Sequence, residues 1–129
     1  MSRLVSAGAV VHAQADFFQP KGSVNRLTGI VPASLTMAAF VNSSVLAWPL
    51  ADGSSVTDSG VSAGTVYFNE VSGAPGFYSV RFFPDRTGFW RVVLRSLALQ
   101  QEAVLEFDAA PAGVFKAVPR GGLTASFAP

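Results

Sequence analysis

Apolar and polar residues alternate most regularly between Gly76 and Leu94. Along 77–83 a two-residue period puts Tyr78, Val80 and Phe82 on one face and Phe77, Ser79, Arg81 and Phe83 on the other. The following run, 89–97, places Trp90, Val92 and Leu94 together and opposes them to Phe89, Arg91, Val93 and Arg95. Burying an unpaired guanidinium is costly, so the arginine-free faces point inward. They make Tyr78, Val80, Phe82, Trp90, Val92 and Leu94 the candidate core. Pro84 and Gly88 bound a five-residue connection between the two runs, which predicts a hairpin of neighbouring antiparallel strands.

Elsewhere short apolar runs recur about every ten residues between clusters of Pro, Gly, Asn, Asp and Ser, and no stretch sustains a helical period. Strands are predicted at 24–27, 35–41, 45–48, weakly around Val56, and at 65–70, 77–83, 89–97 and 104–108. Seven or eight short strands in a body of residues 23–109 are the arithmetic of an all-β sandwich. Residues 1–22 read as an amino-terminal arm and 110–129 as an extended tail. The run 35–48 is apolar at both parities, with Leu35, Met37 and Ala39 against Ala38 and Phe40, as for a strand covered on both faces or lying at a contact.

No charge occurs from Leu27 to Ala51, yet Pro32, Asn42, Ser43, Ser44 and Pro49 interrupt this stretch, which argues against a membrane span. The apolar run 4–11 followed by Ala13-Gln14-Ala15 mimics an export signal but is too short for one, so synthesis in the cytoplasm is expected. The tail carries three Pro and three Gly among small residues, with Val114, Phe115, Val118, Leu123 and Phe127 spaced along it. Such a segment builds no packed element alone. Its anchors imply a surface to lie on, either a neighbouring subunit or this domain itself.

The chain has 129 residues, with 9 Lys+Arg against 8 Asp+Glu, one His and no Cys. Absence of Cys excludes disulfides, Cys-ligated metal sites and thiol catalysis, and the lone His12 excludes a multi-His metal site. A net charge of +1 offers no basic surface for specific nucleic-acid binding. Asp52, Asp58 and Asp85 fall in predicted turns, where Asx capping explains them. Glu102, Glu106 and Asp108 lack the loop geometry of a calcium site and read as a solvated strand edge. His12, assigned to the arm, has no Gly-x-Ser-x-Gly elbow to serve, and Arg120-Gly121-Gly122 lacks the strand and helix of a phosphate loop. No catalytic residue, cofactor or metal is therefore expected.

What remains is surface chemistry. Seven of the nine cations are Arg, the cation enriched at protein interfaces. The outward faces of the predicted hairpin combine Phe77, Phe83 and Phe89 with Arg81, Arg91 and Arg95. Together with Phe115 and Phe127 of the tail they form the candidate interface. An alternative use of aromatics is a sugar-stacking platform built on Trp48, Trp90 or Tyr67, as in a carbohydrate-binding or adhesin-like module. Burial of the two tryptophans would count against it.

The string Gly76-x-Tyr78-x-Val80-x-Phe82-x-Pro84-x-x-x-Gly88-x-Trp90-x-Val92 resembles the penultimate hairpin of immunoglobulin-like modules of the filamin-like kind, including those in virion proteins of tailed bacteriophages. The match covers 17 residues and carries no counterpart of the antibody disulfide. The resemblance implies an immunoglobulin-like sandwich. It also implies a non-enzymatic virion protein that decorates the capsid or joins the neck or tail, with copies of itself and other virion proteins as partners and with no membrane or specific nucleic acid.

Overall fold

A computed structural model describes residues 3–19 and 24–111. The described chain forms β1 (Arg3–Ser6), β2 (Val11–Ala15), β3 (Thr36–Val41), β4 (Ser44–Leu46), β5 (Leu50–Asp52), β6 (Val66–Glu70), β7 (Tyr78–Phe82), β8 (Gly88–Ser96) and β9 (Gln101–Ala110), with single 3-10 turns at Pro32–Ser34 and Asp58–Gly60. Two sheets result, one ordered β1-β9-β8-β3-β4 and the other β2-β7-β6-β5.

This is an immunoglobulin-like sandwich, and the strand order alone shows it. In the letters used for such domains, β2, β7 and β6 occupy the places of B, E and D, while β9, β8 and β3 occupy those of G, F and C, with β4 added at the edge as C′. β1 runs parallel to β9, pairing Leu4 with Asp108 and Val5 with Ala109.

The inner faces meet as alternation requires. Tyr78, Val80, Phe82, Trp90, Val92 and Leu94 are fully buried, together with Phe17, Val66, Phe68 and Val11. Without a disulfide, rings span the two sheets, with Phe82 5.8 Å from Trp90 and 5.4 Å from Phe107, while within the four-stranded sheet Phe68 stacks on Tyr78 at 5.1 Å. Two buried rings find partners for their polar atoms. The Tyr78 hydroxyl donates to the Leu27 carbonyl at 2.6 Å and accepts from the Ile30 amide, and the Trp90 indole donates to the Arg86 carbonyl at 3.0 Å.

The two best-patterned strands do not form a hairpin. β7 pairs with β2 and β6, whereas β8 pairs with β3 and β9, so residues 83–87 cross from one sheet to the other. Sheets in a sandwich lie about 10 Å apart, a gap five residues can bridge. Pro84 is buried at this corner, and the Trp90 indole bond fixes it.

Residues 3–15, read from sequence as part of an arm, instead supply one strand to each sheet. The run 4–11 is broken by a turn at 7–9, which allows Val5 to face one sheet's core side and Val11 and Ala15 the other's. The strand expected at 24–27 is also absent. That segment makes only a bridge from Arg26 to Phe18, with the Leu27 amide donating to the Phe17 carbonyl and the Gln19 amide to the Asn25 carbonyl. Around Val56 there is loop, and the strand of that region is β5. Residues 112–129, with the anchors Phe115 and Phe127, lie outside the described residues.

Candidate interaction surface

Because β7 and β8 belong to different sheets, the candidate interface drawn along a hairpin divides between opposite sides of the molecule. Phe77, Arg81 and Phe83 belong to the four-stranded side, and Phe89, Arg91 and Arg95 to the five-stranded side.

On the four-stranded side the outward row runs His12, Arg81, Tyr67, Ala51 across four strands. Residues 53–60 fold over it. Arg81 is only 9% exposed. Its guanidinium donates to the Gly53 carbonyl at 2.6 Å, the Val56 carbonyl at 2.8 Å and the Asp58 carboxylate at 3.1 Å. The second Asp58 oxygen lies 3.2 Å from His12 Nε2. Arg81 is thus an internal strut for the strap, and neither it nor Asp58 fills the role expected from sequence. His12, placed by β2 on the sheet, belongs to the same cluster.

Phe77 is also engaged. The Arg26 guanidinium sits 3.9 Å above its ring and 5.4 Å from that of Phe18, while Arg26 also pairs with Asp16. Burial raises the Asp16 carboxyl, but hydrogen bonds from Arg26 and Gln14 and the charge of Arg26 outweigh it and hold the group below the ordinary carboxylate value. Phe83 is half-buried just beyond β7.

The five-stranded side carries no such cover among the described residues. Its outward positions follow from register: Val45, Phe40 and Arg91 share one row with Glu106, Ala38 and Val93 align with Val104, Thr36 and Arg95 with Glu102, and Phe89 with Asp108 and Leu4. Leu4, Val45 and Val104 are 59%, 71% and 39% exposed, and Phe40, Phe89 and Val93 are half-buried. A shallow cleft of about 400 Å³ is lined by Phe40, Ser43, Phe89, Arg91, Val93 and Glu102. Two cross-strand ion pairs lie on this face, Arg91 to Glu106 at 3.9 Å between the Phe89 and Val93 rows and Arg95 to Glu102 at 2.7 Å at the end of the strip. Asp108 therefore stands on the open face where β9 lies between β8 and β1, whereas Glu102 and Glu106 lie beyond the β1 ladder, on the stretch of β9 that pairs with β8 alone. The same register explains the double apolar parity of residues 36–41: one parity enters the core, and the other meets this open face.

The remaining chemistry is structural. Asp52 caps Ser54 through both its amide and its hydroxyl, as an Asx turn does. Asp85 is held below the ordinary carboxylate value chiefly by its hydrogen bonds from Arg86. No group of three or more His, Cys, Asp and Glu side chains that could hold a metal occurs among the described residues. Likewise no helix among them is long and apolar enough to cross a membrane. Trp90 is fully buried, which removes it from any sugar-stacking platform, and the half-buried Trp48 packs on it with ring centroids 5.4 Å apart.

Neither a family model nor a curated protein sequence matches the chain. Among solved structures it is similar to titin M4 in its trigonal form, with 13% identity, a TM-score of 0.34, and coverage of 84% of this chain and 86% of that one. It is also similar to the titin Ig tandem domains A164-A165, with 9% identity and a TM-score of 0.36, covering 85% of this chain and 44% of that one. At such scores neither likeness bears on what the chain does.

Proposed function

We propose that this chain is a non-enzymatic structural subunit that assembles with other protein chains through the outward face of its five-stranded sheet. One observation carries the reading: Leu4, Phe40, Val45, Phe89, Val93 and Val104 share one open face with two Arg–carboxylate pairs, while the opposite face is strapped over. Apolar area interleaved with arginine is the composition of protein interfaces. Repetition in a symmetric particle would multiply a modest contact through avidity.

The more specific reading is a virion protein of a tailed bacteriophage, decorating the capsid or forming part of the neck or tail, with capsid, portal or tail subunits and copies of itself as partners. Its support is the sequence resemblance along 76–92. Mass spectrometry of purified particles of the phage encoding the chain tests it. The chain should be present at a fixed ratio to the major capsid protein after stringent washing, and its absence from the particles would overturn the virion assignment.

A further inference from the structure

The outward face of the five-stranded sheet sorts its charges by strand. Arg91 and Arg95 stand on β8, and Glu102, Glu106 and Asp108 on the adjacent β9. Each arginine shares a row with a glutamate, Arg91 with Glu106 and Arg95 with Glu102, and all four side chains are partly exposed. A partner of a single charge sign would be repelled by one of the two columns. The fitting partner carries the same two columns, exchanged.

A second copy does so in one orientation. A two-fold axis parallel to the strands, above the face and midway between β8 and β9, exchanges β8 with β9 and β3 with β1 and keeps every row in place. Arg91 of each copy then lies over Glu106 of the other, Arg95 over Glu102, and Val93 over Val104. An axis perpendicular to the strands and centred on the Val93 row instead sets arginine on arginine and glutamate on glutamate.

Shape agrees with charge. Leu4, 59% exposed, shares a row with Asp108 and Phe89, and this row reaches the end of β3 at Asn42, whose amide donates to the Phe89 carbonyl. Exchanging β1 with β3 carries Leu4 onto the cleft of about 400 Å³ that Phe40, Ser43 and Phe89 line. Projection and hollow are thus related by the axis that matches the charges. No strand lies beyond β1 to meet β4, so Val45 stays outside the contact although it is 71% exposed.

Resting on the reading of this face as the assembly surface, we propose that its partner is a second copy of the chain, paired two-fold about the axis between β8 and β9. Four rows about 7 Å apart on four strands about 4.8 Å apart cover about 500 Å² per copy, about 1,000 Å² in all, the size of a weak, reversible contact.

Sedimentation of the full chain between about 10 µM and about 1 mM should show a monomer–dimer equilibrium. Arg91→Glu and Glu106→Arg, each shown by its melt to be folded, should each stay monomeric alone, because each meets its like across the axis. Their equimolar mixture should pair again. Arg91→Glu mixed with Glu102→Arg sets one like-charge contact in each row and should not pair. Leu4→Ser should weaken pairing about tenfold or more, and Val45→Ser should leave it unchanged. A wild type monomeric throughout, a mismatched mixture that pairs as well as the matched one, or pairing lost with Val45→Ser and kept with Leu4→Ser would overturn the proposal. A monomer that still binds particles would leave the assembly reading standing, whereas a dimer that ignores them would overturn that reading alone.

Discussion

Arg81 illustrates how a side chain's role depends on what lies above it. Local alternation places it outward, and an outward arginine reads as solvated or interfacial. The strap at 53–60 turns that position into a buried one in which the guanidinium serves two carbonyls and a carboxylate. Arg81→Ala leaves those carbonyls without a charged donor and should lower stability by about 2–3 kcal/mol in urea unfolding. It should also raise hydrogen exchange in 53–60 before the rest of the domain. Asp16 sets the response to acid. Its folded pKa lies below the unfolded value, so its contribution is fully present above about pH 4 and is lost as pH falls through the lower folded value. Asp16→Asn should flatten the acid limb of the stability profile below about pH 4 and leave its shape near neutrality unchanged, which thermal melts across pH would read.

At the scale of elements, the glycines of the 76–92 string have physical causes. Gly88, at φ +133°, opens β8 against Asn42: a Cβ there would come within 2.5–2.9 Å of the Asn42 amide, whose oxygen accepts from the Phe89 backbone. Gly76, at φ +85°, has the Arg26 Cβ 2.6 Å from its own missing Cβ and donates its amide to Glu70. Gly88→Ala should cost about 1–3 kcal/mol through strain and displacement of Asn42, read as a lower melting temperature. β1 permits a second test. Starting the chain at Val10 removes Val5 from the core and the ladder to β9, and should lower stability by about 3–5 kcal/mol. A dispensable arm would leave stability unchanged.

These elements also show what was legible in the sequence. The inward faces of β7 and β8 were, because a two-residue period is local and an arginine marks its solvent side. Their pairing was not. A five-residue link suits a hairpin and a crossover alike, and the choice depends on β2, β3, β6 and β9, which are distant in sequence. β1 and β2 were missed because small residues and a turn blur their alternation. The candidate interface joined Phe89, Arg91 and Arg95 to residues that the crossover sends to the opposite side. Phe40, Val45 and Val104, which complete the open face, come from strands that only the register brings together. A signal for Phe40 did exist in the apolar double parity of 35–48.

For the whole molecule, the two outer faces have different fates. One is strapped and polar, the other largely apolar, open among the described residues, and crossed by ion pairs. Single exposed apolar residues are ordinary on a protein surface, whereas a contiguous strip across neighbouring strands marks an interaction site. The central claim is that this strip is where the protein assembles. It is tested most directly by light scattering of the purified chain titrated onto phage particles assembled without it, wild type beside Val93→Asp. Val93 points outward, so the variant should melt within about 0.5 kcal/mol of the wild type. The account predicts that the wild type saturates the particles at a fixed stoichiometry and that the folded variant does not bind them. Equal uptake of the two, or no uptake of the folded wild type, would contradict it.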